Sequence, residues 1–358
     1  MNASIIGAEV ASQLSRADNI SPVTDKEEAF FRKMRGTPYV SNIDFDHLRR
    51  LKDAFKNATA EDPYSLSPTY YGLTGRRGLW VHHCESGDTA MIFCLHPNKD
   101  DTVLVFPPFG ISPKPMLTGF LEHIAPLGMK MQIGRVYEED TNLLEFACAA
   151  RGLTASVVPE TTLDWAYPVH TIATAALKAR QGGAYAKVRG AYNKFSRIRE
   201  ERGAPLATVA AIDFRQDRKL LEKVAHEWEA NSNANYYEKY DKSIPTDYFL
   251  TLIQIAQRPD IGLQGLKIFL NGEVKGFSIW ERPYNASKAA NLYASQVADF
   301  SQTNLGTFLT VKSAEYILSQ GGPYMCLGGS ETAKMDKFKR SFVPHKSKNL
   351  VTIEIAPK

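Results

Sequence analysis

Apolar residues along the chain form two successive groups of predicted strands and helices. In the first group, residues 42–55 carry apolar side chains at helical spacing, which predicts a helix. Apolar runs separated by polar turns then predict strands at LWVHH, TAMIFCLH and TVLVFPPFG. A helix over residues 116–125, a strand at MQIGRVY and a helix over residues 141–150 complete the group.

The second group begins with a basic segment, residues 183–202, which contains no proline and predicts one long helix. Two strands that meet at Asn271-Gly272 predict a hairpin, because this dipeptide favours a two-residue turn. The remaining predictions are the strands ATVAAIDF, AANLYAS, YMCLG and LVTIEI and helices over residues 216–230, 247–256 and 305–320. Two like groups of mixed strands and helices indicate an α+β architecture in duplicate.

The length and composition are those of a globular chain with about two domains. The chain has 358 residues, of which 44% are hydrophobic and 23% charged. We divide it into a partly ordered leader over residues 1–40, a first domain over 41–180, a basic connecting helix over 181–204 and a second, catalytic domain over 205–358. Because no run of about 18 apolar residues and no signal-peptide pattern occurs, we expect a cytoplasmic protein without an integral membrane segment.

Positive charge is concentrated in two segments, although the net charge is only +4. Residues 178–199 contain seven basic residues and no acidic one, and residues 334–348 contain six basic residues and only Asp336. Such clusters attract phosphate groups, so nucleic acid is a candidate partner.

Several common catalytic motifs are absent from the sequence. It contains no GxxxxGK[ST], no GxGxxG after a strand, no GxSxG and no HExxH. The histidines and cysteines between His82 and His96 lie in two strand-like runs whose neighbours point to opposite faces, so we expect no metal site. An enzyme without metal, cofactor or covalent intermediate would work by positioning and by oxyanion stabilisation.

Three stretches carry a recognisable arrangement of residues. The first is Asp164-Trp165-Ala166-Tyr167, followed by Gly182-Gly183-Ala184-Tyr185 with Arg189, Asn193 and Phe195 on the basic helix. The second is CLGGSE at Cys326–Glu331, and the third is KFKRSFVP at Lys337–Pro344. In order and spacing they resemble the catalytic domain of bacterial phosphatidylglycerol lysyltransferases and the related Fem-type aminoacyltransferases, over roughly residues 60–345.

The resemblance implies two tandem acetyltransferase-like (GNAT-like) domains and transfer of an amino acid from aminoacyl-tRNA to an amine or hydroxyl. Aminoacyl-tRNA would be a co-substrate, with no further cofactor. Lys339 would stabilise the oxyanion, because lysine is protonated near neutral pH and donates in several directions. The residues assigned to substrate are Phe338, Tyr185, Arg189, Asn193, Ser330 and Glu331, and those assigned to tRNA are Lys187, Lys194, Arg197, Arg199 and Arg340.

For some of these residues a structural role competes with the functional one. Tyr185 and Asn193 could pack between the domains, and Ser330 and Glu331 could cap the next helix. The sequence also departs from the lysyltransferases, because residues 293–298 lack their Asp-Leu-Met-Arg run. Asp299 and Glu281 are the candidates for the missing catalytic acid, and the acceptor stays open between a small molecule, a peptide and a lipid head group.

Two other functions remain possible at this point. An acyl-CoA-dependent N-acyltransferase would have the same fold, but its pyrophosphate loop is degraded here in QTNLGT at Gln302–Thr307. A non-catalytic module that binds RNA or phosphate would use the same basic helix and transfer nothing.

Overall fold

The computed structural model of the chain describes two β-sheets with helices packed on their faces. The residues it describes are 28–29, 32, 40–43, 52–56, 63–74, 79–83, 88–96, 102–111, 113–124, 130–149, 151–158, 167–197, 207–231, 245–259, 261–282, 288–298, 304–330 and 332–357.

The first sheet and its helices come mainly from the N-terminal half of the chain. The strands are β1 (Val40–Ile43), β2 (Leu79–His83), β3 (Thr89–Leu95), β4 (Thr102–Val105), β5 (Phe109–Gly110), β6 (Lys130–Tyr137), β7 (Leu153–Val157) and β15 (Leu350–Pro357). The helices are α1 (Lys52–Lys56), α2 (Pro68–Thr74), α3 (Pro113–Ile124) and α4 (Thr141–Ala149), with 3-10 turns at Tyr64–Leu66 and Glu138–Asp140. The strand order is β1-β2-β3-β4-β6-β15-β7, with β5 on β3, and β4 and β6 run parallel.

The second sheet has the order β14-β8-β13-β12-β11-β10-β9. Its strands are β8 (Val169–Ala173), β9 (Ala207–Ala211), β10 (Leu263–Leu270), β11 (Glu273–Glu281), β12 (Ala289–Val297), β13 (Tyr324–Cys326) and β14 (Lys346–Lys348). Its helices are α5 (Thr174–Ala179), α6 (Ala186–Ser196), α7 (Arg218–Asn231), α8 (Pro245–Ala256), α9 (Leu305–Ser319) and α10 (Ala333–Arg340). Here β12 and β13 run parallel, and α9 connects them.

The two sheets exchange a strand each. β8 precedes the basic helix in the chain but pairs with β13 and β14 of the second sheet, whereas β15, at the other end of the chain, pairs with β6 and β7 of the first. Sheet membership therefore crosses the boundaries that we drew at residues 180 and 205. Because each sheet contains a strand from the other half of the chain, the two units are linked by strand pairing as well as by packing.

The α+β prediction in two successive units is confirmed, and so is the hairpin. Asn271 and Gly272 both have positive φ, 52° and 80°, as a type I′ turn requires. The helix predicted over residues 42–55 is wrong at its start, because Val40–Ile43 pairs with β2. Helix α1 covers Lys52–Lys56, and residues 44–51 lie outside the description. Within the described part of the basic segment, the helix covers Ala186–Ser196, and residues 198–206 lie outside the description.

Apolar side chains cover both faces of the second sheet. One face packs against α7 and α8 through residues such as Leu221 and Leu252. The other face packs against α6 and α9 through residues such as Phe195 and Leu309. None of the helices within the described ranges is both long enough and apolar enough to span a membrane.

Candidate active site

The parallel strands β12 and β13 separate after a short paired segment. Their register covers only three residue pairs, from Ala289↔Tyr324 to Asn291↔Cys326. β12 then continues to Val297, whereas β13 ends at Cys326 and leads into a Leu-Gly-Gly-Ser turn. The pairing therefore ends in a fork between the two strands, next to residues 327–330.

A tyrosine from the first unit fills this fork. The Tyr64 hydroxyl donates to the Leu292 carbonyl at 2.5 Å and lies 3.4 Å from the Cys326 carbonyl. The Asn291 amide donates to the Pro63 carbonyl at 2.8 Å. Gly328 approaches the same tyrosine so closely that a Cβ at this position would lie 3.3 Å from its hydroxyl oxygen. The site is therefore built from both units.

The turn after β13 contains a buried hydroxyl group that has no partner among the described residues. Gly328 has a φ of 70°, which favours glycine, and Ser330 forms an isolated bridge with Tyr167. The Ser330 side chain is fully buried, and its hydroxyl oxygen makes no hydrogen bond to any part of the chain that is described. Buried hydroxyl groups normally have partners, so Ser330 is a candidate for a hydrogen bond to a bound molecule.

Helix α10 brings Lys339 to the same turn. The Lys339 ammonium donates to the Gly329 carbonyl, next to Ser330. α10 begins where the hydroxyl of Thr332 accepts from the Met335 amide at 3.2 Å. The structure thus brings together two predicted residues, Lys339 and Ser330, at the end of β13.

Phe338 lies on the outer side of this corner. Its side chain is 37% exposed, and its ring meets the Phe342 ring edge-on at 5.0 Å. A Cβ on Gly306, in the first turn of α9, would lie 3.9 Å from the Phe338 ring. The start of α9 and the last turn of α10 therefore face each other, and the partly exposed Phe338 ring lies between them.

Glu281 belongs to a separate buried cluster where the two units meet. It is 1% exposed, and one carboxylate oxygen accepts from the Ser67 hydroxyl and, at 3.2 Å, from the Tyr293 hydroxyl. Burial raises the pKa of Glu281 to about 7, although the side chains of Ser67, Thr69 and Tyr293 oppose the shift. Burial and the adjacent Glu281 raise the pKa of Tyr293 as well. Because Glu281 is hydrogen-bonded to a side chain of each unit, the geometry favours a role in joining the units over proton transfer to a substrate.

The basic helix α6 packs along α9 and exposes cations on its outer side. The Tyr192 ring stacks on the Phe308 ring at 5.2 Å, and the Arg180 guanidinium lies 4.1 Å from the centroid of the Tyr192 ring. The exposed cations are Lys187, Lys194 and Arg197. Within the described ranges, no salt bridge joins these three to an acidic side chain.

The other predicted residues of α6 lie in different surroundings. One Arg189 nitrogen donates to the carbonyls of Arg180 and Gly182, at 2.6 and 3.0 Å, so this side chain caps the turn before the helix. Tyr185 is partly buried, which raises its pKa, and Asn193 is exposed. Their substrate-binding roles stay predictions.

The remaining predicted site residues are one that the structure describes, Arg340, and three that it does not. Arg340, predicted to contact tRNA, forms an ion pair with Asp336 at 2.7 Å. Asp299, Glu331 and Arg199 lie outside the described residues. No three His, Cys, Asp or Glu side chains within the described ranges come together as metal ligands.

Sequence reasoning missed the contribution of the first unit to this site. Tyr64 and Ser67 come more than 200 residues before the strands that they contact. The segment YSLSPTYYG, residues 64–72, fits the resemblance, and its Ser67-Pro68 pair is typical of a helix start. It predicts α2 but not what the serine contacts.

Neither a protein-family model nor a curated protein matches the chain, whereas solved structures do. A conserved protein of unknown function from Bacteroides thetaiotaomicron superposes with a TM-score of 0.69 at 14% identity, covering 90% of this chain and 100% of that one. The C-terminal domain of a putative lysylphosphatidylglycerol synthetase from Agrobacterium fabrum gives 0.58 at 15% identity, covering 87% and 92%. FemX gives 0.54 at 12% identity, covering 88% and 96%. The chain therefore has the fold of these structures over most of its length, which confirms the fold that the resemblance predicted.

Proposed function

We propose that the chain is an aminoacyltransferase that moves an amino acid from aminoacyl-tRNA to an amine or hydroxyl acceptor. The observation that carries the proposal is the corner formed by Lys339 and Ser330. There the Lys339 ammonium, which donates to the Gly329 carbonyl, lies beside the buried Ser330 hydroxyl. This hydroxyl has no hydrogen-bond partner in the described part of the chain. The acceptor belongs to a small molecule, a peptide or a lipid head group.

The corner suits acyl transfer from an ester. The acceptor attacks the ester carbonyl, a carbon–nitrogen or carbon–oxygen bond forms, and the carbonyl oxygen becomes an oxyanion. Lys339 and Ser330 can donate to that oxygen. The ester bond to the tRNA ribose then breaks, and the ribose hydroxyl takes up the proton that the acceptor loses. Because the ester is already activated, the reaction as proposed needs no other cofactor.

The exposed cations of α6 support tRNA as the carrier. Lys187, Lys194 and Arg197 present positive charge without a described acidic partner, as phosphate contacts require. Their helix packs on Phe308, in the second turn of α9. The first turn of α9 faces Phe338. A nucleic acid on α6 could therefore extend its end towards α10.

The filled fork argues against the acyl-CoA alternative. An extended ligand that added to the free edge of β12 would need backbone carbonyls there as acceptors. The Leu292 carbonyl already accepts from Tyr64, whose ring also meets the Tyr293 ring at 5.4 Å. The degraded loop at Gln302–Thr307 points in the same direction.

The test incubates the purified protein with a pool of radiolabelled aminoacyl-tRNAs and with extract of its source cells as the source of acceptor. We expect one label to move from tRNA into an acid-stable product. If each aminoacyl-tRNA decays only at the rate without protein, the proposal fails. Parallel reactions with acetyl-CoA and longer acyl-CoAs would then identify the acyl-CoA alternative.

The same samples test the non-catalytic alternative. Binding of tRNA whose affinity falls steeply with salt, together with no transfer of any label, would identify a nucleic-acid-binding module.

A further inference from the structure

One histidine on β8 connects the turn after β13 with helix α10. His170 is 1% exposed. Its backbone amide donates to the Gly328 carbonyl at 3.3 Å, and its carbonyl accepts from the Leu327 amide at 2.8 Å. Its side chain faces α10, where Nε2 lies 2.7 Å from an oxygen of Asp336. No pattern in the sequence singled this residue out.

The protonation of the ring follows from its partners. Asp336 is also paired with Arg340 at 2.7 Å, so its carboxylate acts as an acceptor and Nε2 donates to it. Burial lowers the pKa of His170, which favours the neutral ring, whereas the bond to Asp336 opposes the shift. In the neutral ring Nδ1 then accepts from the Ser347 hydroxyl at 2.8 Å.

Both groups that His170 holds are adjacent to the proposed catalytic corner. Asp336 lies one helical turn before Lys339 on α10, and Gly328 directly precedes Gly329, whose carbonyl accepts from the Lys339 ammonium. His170 therefore links the helix that carries the ammonium to the turn that carries Ser330.

We propose that His170 is a positioning residue for the transfer reaction and that it acts through Asp336 and α10 on Lys339. The proposal rests on the proposed function. Helix α10 has other anchors, namely its Thr332 cap and the fully buried Phe342 that follows it. Loss of the histidine ring should therefore shift the helix rather than unfold it.

The first test measures transfer by three variants. His170→Leu removes the bond to Asp336, and we expect kcat to fall about 10²-fold, as misplacement by about 1 Å can cause, with an unchanged KM for aminoacyl-tRNA. His170→Gln keeps an N–H donor for Asp336, and we expect it to restore most of the activity. Ser347→Ala, the matched control, removes only the partner of Nδ1 and should stay close to wild type. A wild-type kcat in His170→Leu, or equal losses in the Leu and Gln variants, would overturn the proposal.

A second test does not depend on catalysis. Acetic anhydride labels free amines, and mass spectrometry reports the labelling rate of Lys339 in the folded protein. We expect faster labelling in His170→Leu than in wild type, because the ammonium leaves Gly329, and a rate close to wild type in His170→Gln. Equal rates in all variants would overturn the positioning role. If wild type transfers no amino acid but Lys339 labelling still depends on His170, the proposed function fails and the positioning stands.

Discussion

The two sheets each contain one parallel strand pair, and the segments that follow these pairs differ in charge. In the first unit β6 leads into Glu138–Asp140 and α4, a stretch with four acidic residues and no basic one. In the second unit β13 leads into a Gly-Gly-Ser turn and α10, which has four basic residues and one buried acid, Asp336. We call the point where each parallel pairing ends a fork, the first after Val105↔Ile133 and the second after Asn291↔Cys326. The second fork is therefore the one that suits an anionic carrier and a developing oxyanion.

The first unit contributes packing and the Tyr64 hydrogen bond to this site, whereas both proposed oxyanion donors lie in the second unit. Arg135 on β6 is buried with a φ of 61°, and its guanidinium lies 4.9 Å from the Tyr70 ring centroid and 5.5 Å from that of Tyr64. These contacts hold the segment whose Tyr64 fills the second fork. In the proposed function, the second unit supplies the donors and the first unit shapes the site.

The largest expected effect comes from Lys339→Ala in the second unit. We expect kcat to fall about 10²–10³-fold, the usual cost of removing an oxyanion donor. The matched control is Glu145→Ala on α4, an exposed residue after the first fork, which should leave kcat unchanged. Single-turnover transfer at saturating protein measures both variants. Equal effects of the two substitutions would remove the functional difference between the forks.

The next effect concerns the buried carboxyl between the units. The folded-state pKa of Glu281 is about 7 against an ordinary value of 4.5. Between these values the unfolded chain loses the proton first, so the free energy of unfolding falls as pH rises from about 4.5 to 7, by about 3 kcal/mol in all. Glu281→Gln cannot ionise and should remove this slope.

Urea unfolding at pH 5 and pH 8 measures that difference. The stability gap between wild type and Glu281→Gln should change by about 2.5 kcal/mol between the two pH values, because part of the effect is already lost at pH 5. Glu145→Gln, on the exposed face of α4, serves as the control and should give a constant gap. If the stability difference between wild type and Glu281→Gln is also the same at both pH values, the stability of the junction does not depend on the protonation of Glu281.

Substitutions on α6 test the charge difference through binding. Replacing Lys187, Lys194 and Arg197 with Gln should reduce the slope of log K for tRNA against log salt by about 2, since each phosphate contact contributes about 0.7–0.9. The control replaces Arg215, Lys219 and Lys223, exposed cations in and just before α7 on the opposite face of the second sheet, and should leave the slope unchanged. Equal slopes in the two triple variants would show that the cations of α6 do not make the phosphate contacts to tRNA.

Sequence reasoning predicted the parts of this molecule that depend on local pattern. The hairpin at Asn271-Gly272 and the α+β class follow from turn chemistry and periodicity. The resemblance singled out Lys339 and Ser330, but it did not predict that both lie at the same turn. The strand exchange, Tyr64 in the fork and His170 beneath α10 involve partners between 151 residues apart, for Ala173 and Tyr324, and 262 residues apart, for Tyr64 and Cys326. Such pairings depend on tertiary packing and leave no periodic signal in one sequence.

The smallest expected effect is that of Tyr64→Phe, which keeps the ring but removes the hydrogen bond to Leu292. A lost buried hydrogen bond costs about 1 kcal/mol in the free energy of unfolding. Tyr71→Phe is the matched variant, because Tyr71 donates to the Ser65 carbonyl at 2.7 Å within the first unit. Urea unfolding should therefore give similar losses for both variants.

Transfer should separate the two tyrosines. Tyr64→Phe frees the Leu292 carbonyl at the second fork, so we expect a loss of kcat, smaller than that of Lys339→Ala. Tyr71→Phe leaves that fork intact and should transfer at the wild-type rate. If both variants transfer at the wild-type rate despite equal losses of stability, the fork is a structural joint between the units, and the proposed site is confined to the corner of Lys339 and Ser330.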